Sequence, residues 1–178
     1  PKASYTVIDE FTDGINRGGW QIGGPFRDTI LFKGGNPGAY LRDDYLYAPA
    51  PTAYTSGKSD FIGNYRTAYK MDFGIDLLLT QWVFYRPTTM WVTMHNYNDT
   101  PDTALDDFAV WCDSGQTIPA PGSGWASISL TVETGSLYLP DNCVAYRAGY
   151  VLSGKAADAV WDAVLNDVEK LGWSFGYP

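Results

Sequence analysis

The stretch Ala68-Tyr69-Lys70-Met71-Asp72-Phe73 alternates apolar and polar side chains. Successive residues of an extended chain point to opposite faces, so this pattern predicts a β-strand with one wet face and one dry face. Around it, Tyr65 to Leu79 reads as one or two strands. Towards the N-terminus, short runs rich in β-branched and aromatic residues recur at Tyr5-Thr6-Val7-Ile8, Gly19-Trp20-Gln21-Ile22, Thr29-Ile30-Leu31-Phe32, Ala39-Tyr40-Leu41 and Tyr45-Leu46-Tyr47. Towards the C-terminus the same signal returns at Thr80 to Tyr85, Met90 to His95, Phe108 to Cys112 and Ala126 to Val132. Clusters of Gly, Pro, Asn and Asp separate the runs, as turns require. About ten strands with short connections predict an all-β sandwich or jelly roll.

One segment departs from the period of two. From Ser153 through Lys170, Ala156, Val160, Ala163, Val164 and Val168 recur at three- and four-residue spacing, with Ser153 as N-cap and Gly172 just past the end. This predicts one short amphipathic helix near the C-terminus, with Trp161 packed against a sheet. Leu171-Gly172-Trp173-Ser174-Phe175-Gly176-Tyr177 then alternates large and small residues like a strand.

The 178 residues suit a single domain spanning 1–178, large enough to bury a core. A hydrophobic share of 45%, a charged share of 18%, 19 Gly and 11 Pro argue against disorder and against a helical bundle. Only 12 Lys and Arg oppose 20 Asp and Glu, for a net charge of −8, and there is no basic run. Nucleic acid is therefore excluded as an expected partner, because duplex affinity comes mostly from cations on phosphates. No apolar run approaches the ~18 residues of a membrane-crossing helix, so no membrane insertion is expected. The chain begins at Pro1 without Met, a start that either a removed export signal or an artificial cut leaves; the first would make it a secreted or cell-surface protein, which is the expectation. Cys112 and Cys143 form one even pair outside any metal-ligand spacing. Either they join in a disulfide, as an oxidising compartment favours, or they are two buried thiols.

Several segments resemble the laminin B domain, also called laminin domain IV, and its relatives in exported bacterial proteins. They are Asp9-Glu10-Phe11 followed by Gly19-Trp20, then Gly34-Gly35-Asn36-Pro37-Gly38-Ala39-Tyr40-Leu41 ahead of Ala48-Pro49, then Met71-Asp72-Phe73-Gly74-Ile75. Gly124-Trp125 and Val164-Leu165-Asn166-Asp167-Val168-Glu169-Lys170-Leu171 follow in the same order. The resemblance implies a jelly-roll β-sandwich similar to carbohydrate-binding modules. It also implies a closing Asp-Asn-Val type strand that this sequence does not contain before Pro178. A sandwich lacking that strand would take one from elsewhere, and the segment carrying Tyr5 and Val7 is the expected donor, giving a homo-oligomer or filament. The plainer alternatives are a truncated chain or closure by Trp173 to Tyr177.

Chemistry has few candidates. His95 is the one histidine and has no GxSxG elbow beside it, and the adjacent acidic pairs would point to opposite faces of a strand, so no catalytic residue is expected. Asp9, Glu10, Asp13, Asn36, Asp43 and Asp44 supply hard oxygen ligands in loops and are the candidates for a structural calcium; the bland reading is solvated turn residues. The missing last-strand Asp leaves the site implied by the resemblance incomplete. Tyr45, Tyr47, Tyr54, Trp82, Tyr85 and Tyr97, in or beside loops, are the candidates for stacking an extracellular glycan, whereas Trp20, Trp91, Trp111 and Trp125 are expected in the core. Gly35 and Gly38 are expected to be backbone requirements of a tight turn. The leading expectation is a non-catalytic structural or adhesion module, with carbohydrate binding as the alternative and a hydrolase as a remote third.

Overall fold

The structure is a computed structural model that describes residues 6–23, 28–36, 38–42, 51–57, 59–98 and 106–176. Its strands are β1 (Gln21–Ile22), β2 (Thr29–Gly35), β3 (Gly38–Arg42), β4 (Thr52–Ser56), β5 (Met71–Leu78), β6 (Thr89–Asn96), β7 (Phe108–Thr117) and β8 (Trp125–Val132). Then come β9 (Cys143–Arg147), β10 (Tyr150–Leu152), the helix α1 (Gly154–Asn166) and β11 (Lys170–Ser174). The fold is an all-β sandwich with one short helix near the C-terminus. Seven strands form one sheet in the order β1-β4-β11-β6-β7-β9-β10, and the pairs β2-β3 and β5-β8 stand apart from it.

Alternation explains how this sheet buries one side. Met90, Val92 and Met94 of β6, Val110 and Cys112 of β7, Cys143 and Ala145 of β9, and Leu171 and Trp173 of β11 are all buried. The pairings Trp173↔Val92, Val92↔Cys112 and Cys112↔Cys143 put them on one face. Two elements cover it. β5 and β8 bring Phe73, Ile128, Leu130 and Val132, and α1 brings Ala157, Val160, Trp161, Val164 and Leu165, all in one continuous hydrophobic cluster. At β5 the alternation places Phe73 in that cluster and leaves Asp72 exposed, hydrogen-bonded to Thr131 across the pair.

Three segments fold differently from their sequence reading. Tyr65–Thr67 is a 3₁₀ turn capped by Asn64, whose side chain accepts from Arg66 N, and not the start of a strand. Thr80 to Tyr85 is a loop, in which Trp82 turns inward on Phe175 at 6.2 Å. Residues 6–10 lie outside any strand. The β2-β3 turn divides the two glycines by cause: Gly38 has φ +74°, which favours glycine, whereas at Gly35 an added Cβ would stand 2.5 Å from the Ala39 carbonyl oxygen.

The closing strand also needs correction. β11, late in sequence, lies inside the sheet and pairs antiparallel with β4 on one side and β6 on the other. The groove that called for a donated strand is therefore not beside it. Val7 is half-buried and outside any strand, and Tyr5 lies outside the described residues.

Candidate ligand-binding face

The second face of the large sheet shows the same alternation with the opposite content. Across the strands, one row reads Gln21, Tyr54, Gly172, Thr93, Trp111 and Val144; the next reads Ser56, Lys170, His95, Ala109, Tyr146 and Val151. Trp91 and Asp113 pair in a third row. None of these residues belongs to the hydrophobic cluster, and Tyr54, Trp91, His95, Trp111, Tyr146 and Lys170 are half-buried. Among the described residues, the helix and the β5-β8 pair pack on the other face.

The rings form a connected set. His95 meets Trp111 edge-on at 6.3 Å, and Trp111 meets Tyr146 at 6.4 Å. On the other flank, Tyr54 donates its hydroxyl to Gln21 Oε1 at 2.9 Å, and Lys170 Nζ stands 4.1 Å above the Tyr54 ring. Tyr54 and Trp111 are three strand spacings apart, about 14 Å. Between them the floor is Gly172 and Thr93, both buried. A Cβ at Gly172 would lie 2.9 Å from Thr93 Oγ1 and 3.0 Å from the Ala53 carbonyl oxygen, so only glycine keeps the floor this low. Shallow hollows flank the face: one of about 430 Å³ beside Trp91, Asp113 and Val144, another of about 390 Å³ beside Ser56, Tyr97 and Glu169.

Charge on this face is sparse. Burial, aided by the charge of Lys170, pushes the His95 pKa down to about 4, so the imidazole is neutral at pH 7. Burial also lowers the Lys170 pKa. Among the described residues Lys170 makes no ion pair. Thr93 is 1% exposed, and among the described residues its hydroxyl has no hydrogen-bond partner. At the Tyr97 end, burial raises the Tyr97 pKa, with help from Asp107, Glu169 and Tyr54.

The residues singled out from sequence separate accordingly. Tyr54 lies on this face and Tyr97 at its end, just after β6. Trp82 is corrected into the core, 9% exposed and packed on Tyr85 and Phe175, and so has no face free for stacking. Tyr85 is half-buried against the core and donates its hydroxyl to the Ile118 carbonyl. Tyr45 and Tyr47 lie outside the described residues. Of the four Trp expected in the core, Trp91 and Trp111 are on this face instead. Trp20 packs at the core margin on Phe61, and Trp125 sits outside the cluster, donating to the Gly34 carbonyl. The sequence reading does not single out Trp91, Thr93, His95, Trp111, Tyr146 and Lys170 as members of this face, although alternation about Val92 and Val110 marks the first four.

The oxygen ligands proposed for calcium are otherwise engaged or apart. Asp9 accepts from the backbone N–H groups of Phe11 and Gly18, and Asp13 pairs with Arg17, which holds its carboxyl below the usual range. Glu10 and Asn36 are exposed, and Asp43 and Asp44 lie outside the described residues. Among the described residues no three His, Cys, Asp or Glu side chains gather to hold a metal ion. Cys112 and Cys143 are joined by a disulfide across β7 and β9, Cα to Cα 4.0 Å. No helix among the described residues is long and apolar enough to cross a membrane.

No protein-family model, curated protein or solved structure matches this chain.

Proposed function

We propose that the protein is a non-catalytic, exported adhesion module that holds saccharide chains on the aromatic face of its seven-stranded sheet. The observation that carries this reading is Trp111, set between His95 and Tyr146 on a face the core does not need. Pyranose rings present C–H groups to aromatic faces and hydroxyls to polar neighbours, and a strip of rings with a low polar floor offers both. The disulfide suits an oxidising compartment. A histidine with a pKa near 4 is a weak general base at neutral pH, which fits binding better than catalysis. The test is a glycan array read with the wild-type chain and with Trp111→Ala. Retention of saccharides by the wild type, reduced at least tenfold in the variant with its melting temperature nearly kept, is expected; a blank wild-type array overturns the reading.

A second reading, adhesion through protein contact, is favoured by the edge strand β10, where Tyr150 and Val151 are 76% and 61% exposed. An apolar edge strand invites pairing with another strand, including one from a second copy in a homo-oligomer or filament. Light scattering over a concentration series separates the two, because a monomer that binds glycans fits the first and self-association without glycan binding fits the second.

A further inference from the structure

We infer that the saccharides taken by this face carry a carboxylate on the sugar ring, held by Lys170, with a neighbouring hydroxyl bonded to Thr93. The inference rests on the saccharide reading above and adds the chemical class of the ligand.

Three placements converge on it. Lys170 and Gly172 sit two residues apart on β11, so they share the second face of the sheet, and Lys170 pairs across with His95. Its ammonium stands over the Tyr54 ring at 4.1 Å and makes no ion pair among the described residues. In a chain of net charge −8, a half-buried cation without a carboxylate partner is out of pattern. Its sequence neighbour Glu169 is engaged elsewhere, accepting from the Tyr97 backbone N–H. An anion arriving on the face would find that ammonium partly desolvated, which strengthens the pairing. Charges of the chain farther away than the ~8 Å over which physiological salt screens act on it only weakly.

Thr93 supplies the second, independent placement. Its Oγ1 is buried, has no hydrogen-bond partner among the described residues, and lies beside Gly172 between the Tyr54 and Trp111 flanks. A buried hydroxyl without a partner is costly unless something bonds to it, and valine would have filled the same volume. A sugar hydroxyl or ring oxygen seated between the flanks would complete it. The neutral imidazole of His95 adds a polar edge without a competing charge.

The test uses the full chain and paired oligosaccharides of galacturonate, glucuronate, mannuronate and guluronate, each as the free acid and as its methyl ester, titrated calorimetrically. At least one acid is expected to bind tenfold or more tightly than its ester, and the preference should collapse to within about twofold in Lys170→Met, which keeps the apolar stem. Thr93→Val should weaken acid and ester alike while leaving their ratio unchanged, and should melt no lower than wild type because it removes an unpaired buried hydroxyl. Equal binding of every acid and its ester, or a preference that survives Lys170→Met with the fold intact, overturns the inference. Binding of neutral glycans alone on the array overturns it while leaving the saccharide reading standing. A blank array removes both.

Discussion

Replacing Cys112 and Cys143 together by Ala removes the cross-link between β7 and β9. The two residues face each other across the strands, 0% and 7% exposed, on the core side of the sheet. They are 31 apart in sequence, and a closed loop of that size restricts the unfolded chain by ~3.7 kcal/mol in the chain-entropy model. Truncating two buried sulfurs adds on the order of 1 kcal/mol of lost burial. The loop contains all of β8, so the bond also ties the smaller β5-β8 pair to the large sheet. Urea unfolding should show a loss of roughly 4–5 kcal/mol in the double variant. Reduction of the wild type should give most of that loss, because it leaves the sulfurs in place. For a domain of this size the thermal midpoint should fall by roughly 8–18 °C. A double variant that loses less than about 1 kcal/mol would show that the cross-link does not limit the unfolded chain as argued.

Lowering the pH should weaken the fold through His95. The unfolded imidazole binds a proton below about 6.5 and the folded one only near 4, so stability declines as pH falls through that window, by at most about 3 kcal/mol. Urea midpoints at pH 7 and pH 4.5 should differ less in His95→Gln than in wild type, and matching pH profiles would rule this source out. Gly172→Ala should cost ~1–3 kcal/mol, because its methyl would meet the Ala53 carbonyl oxygen, a backbone atom with little room to move; an unchanged melt refutes the close approach. Trp161→Phe should cost about 1–3 kcal/mol, mainly as a cavity, since Arg66 also donates to the Ser136 carbonyl that the indole reaches at 3.0 Å. A calorimetric scan within 1 °C of wild type would contradict that packing.

Alternation made much of the fold readable. It placed Met90 to His95, Phe108 to Cys112 and Ala126 to Val132 within β6, β7 and β8, and the spacing of Val160 and Val164 located the helix. Where strands bury small or polar residues the signal faded. β4 presents Ala53 and Thr55 to the interior, and Thr55 is tolerated there because its hydroxyl donates to the Gly18 carbonyl. The β9-β10 hairpin turns on Ala148 and Gly149, with φ of +50° and +79°, a two-residue turn that its sequence announces only at the glycine. The aromatic residues misled for a different reason. Hydrophobicity alone sends Trp91 and Trp111 inward, yet each lies one residue from a core position, and the pleat must turn such a neighbour outward. Trp82 shows the converse, a loop residue drawn inside by Tyr85 and Phe175.

The same pleat sets what the second face of the large sheet carries. The hydrophobic core cluster does not include Trp111, Tyr146 or Trp91. Edge contacts such as those joining His95, Trp111 and Tyr146 contribute roughly 0.5–1.5 kcal/mol each, and rings fixed in this way would lose less entropy in binding the proposed saccharide. Beside them, among the described residues, the buried Thr93 hydroxyl has no hydrogen-bond partner and the Lys170 ammonium makes no ion pair. Departures from local consistency that gather within two rungs of one sheet are expected where function, not folding, selects the residues.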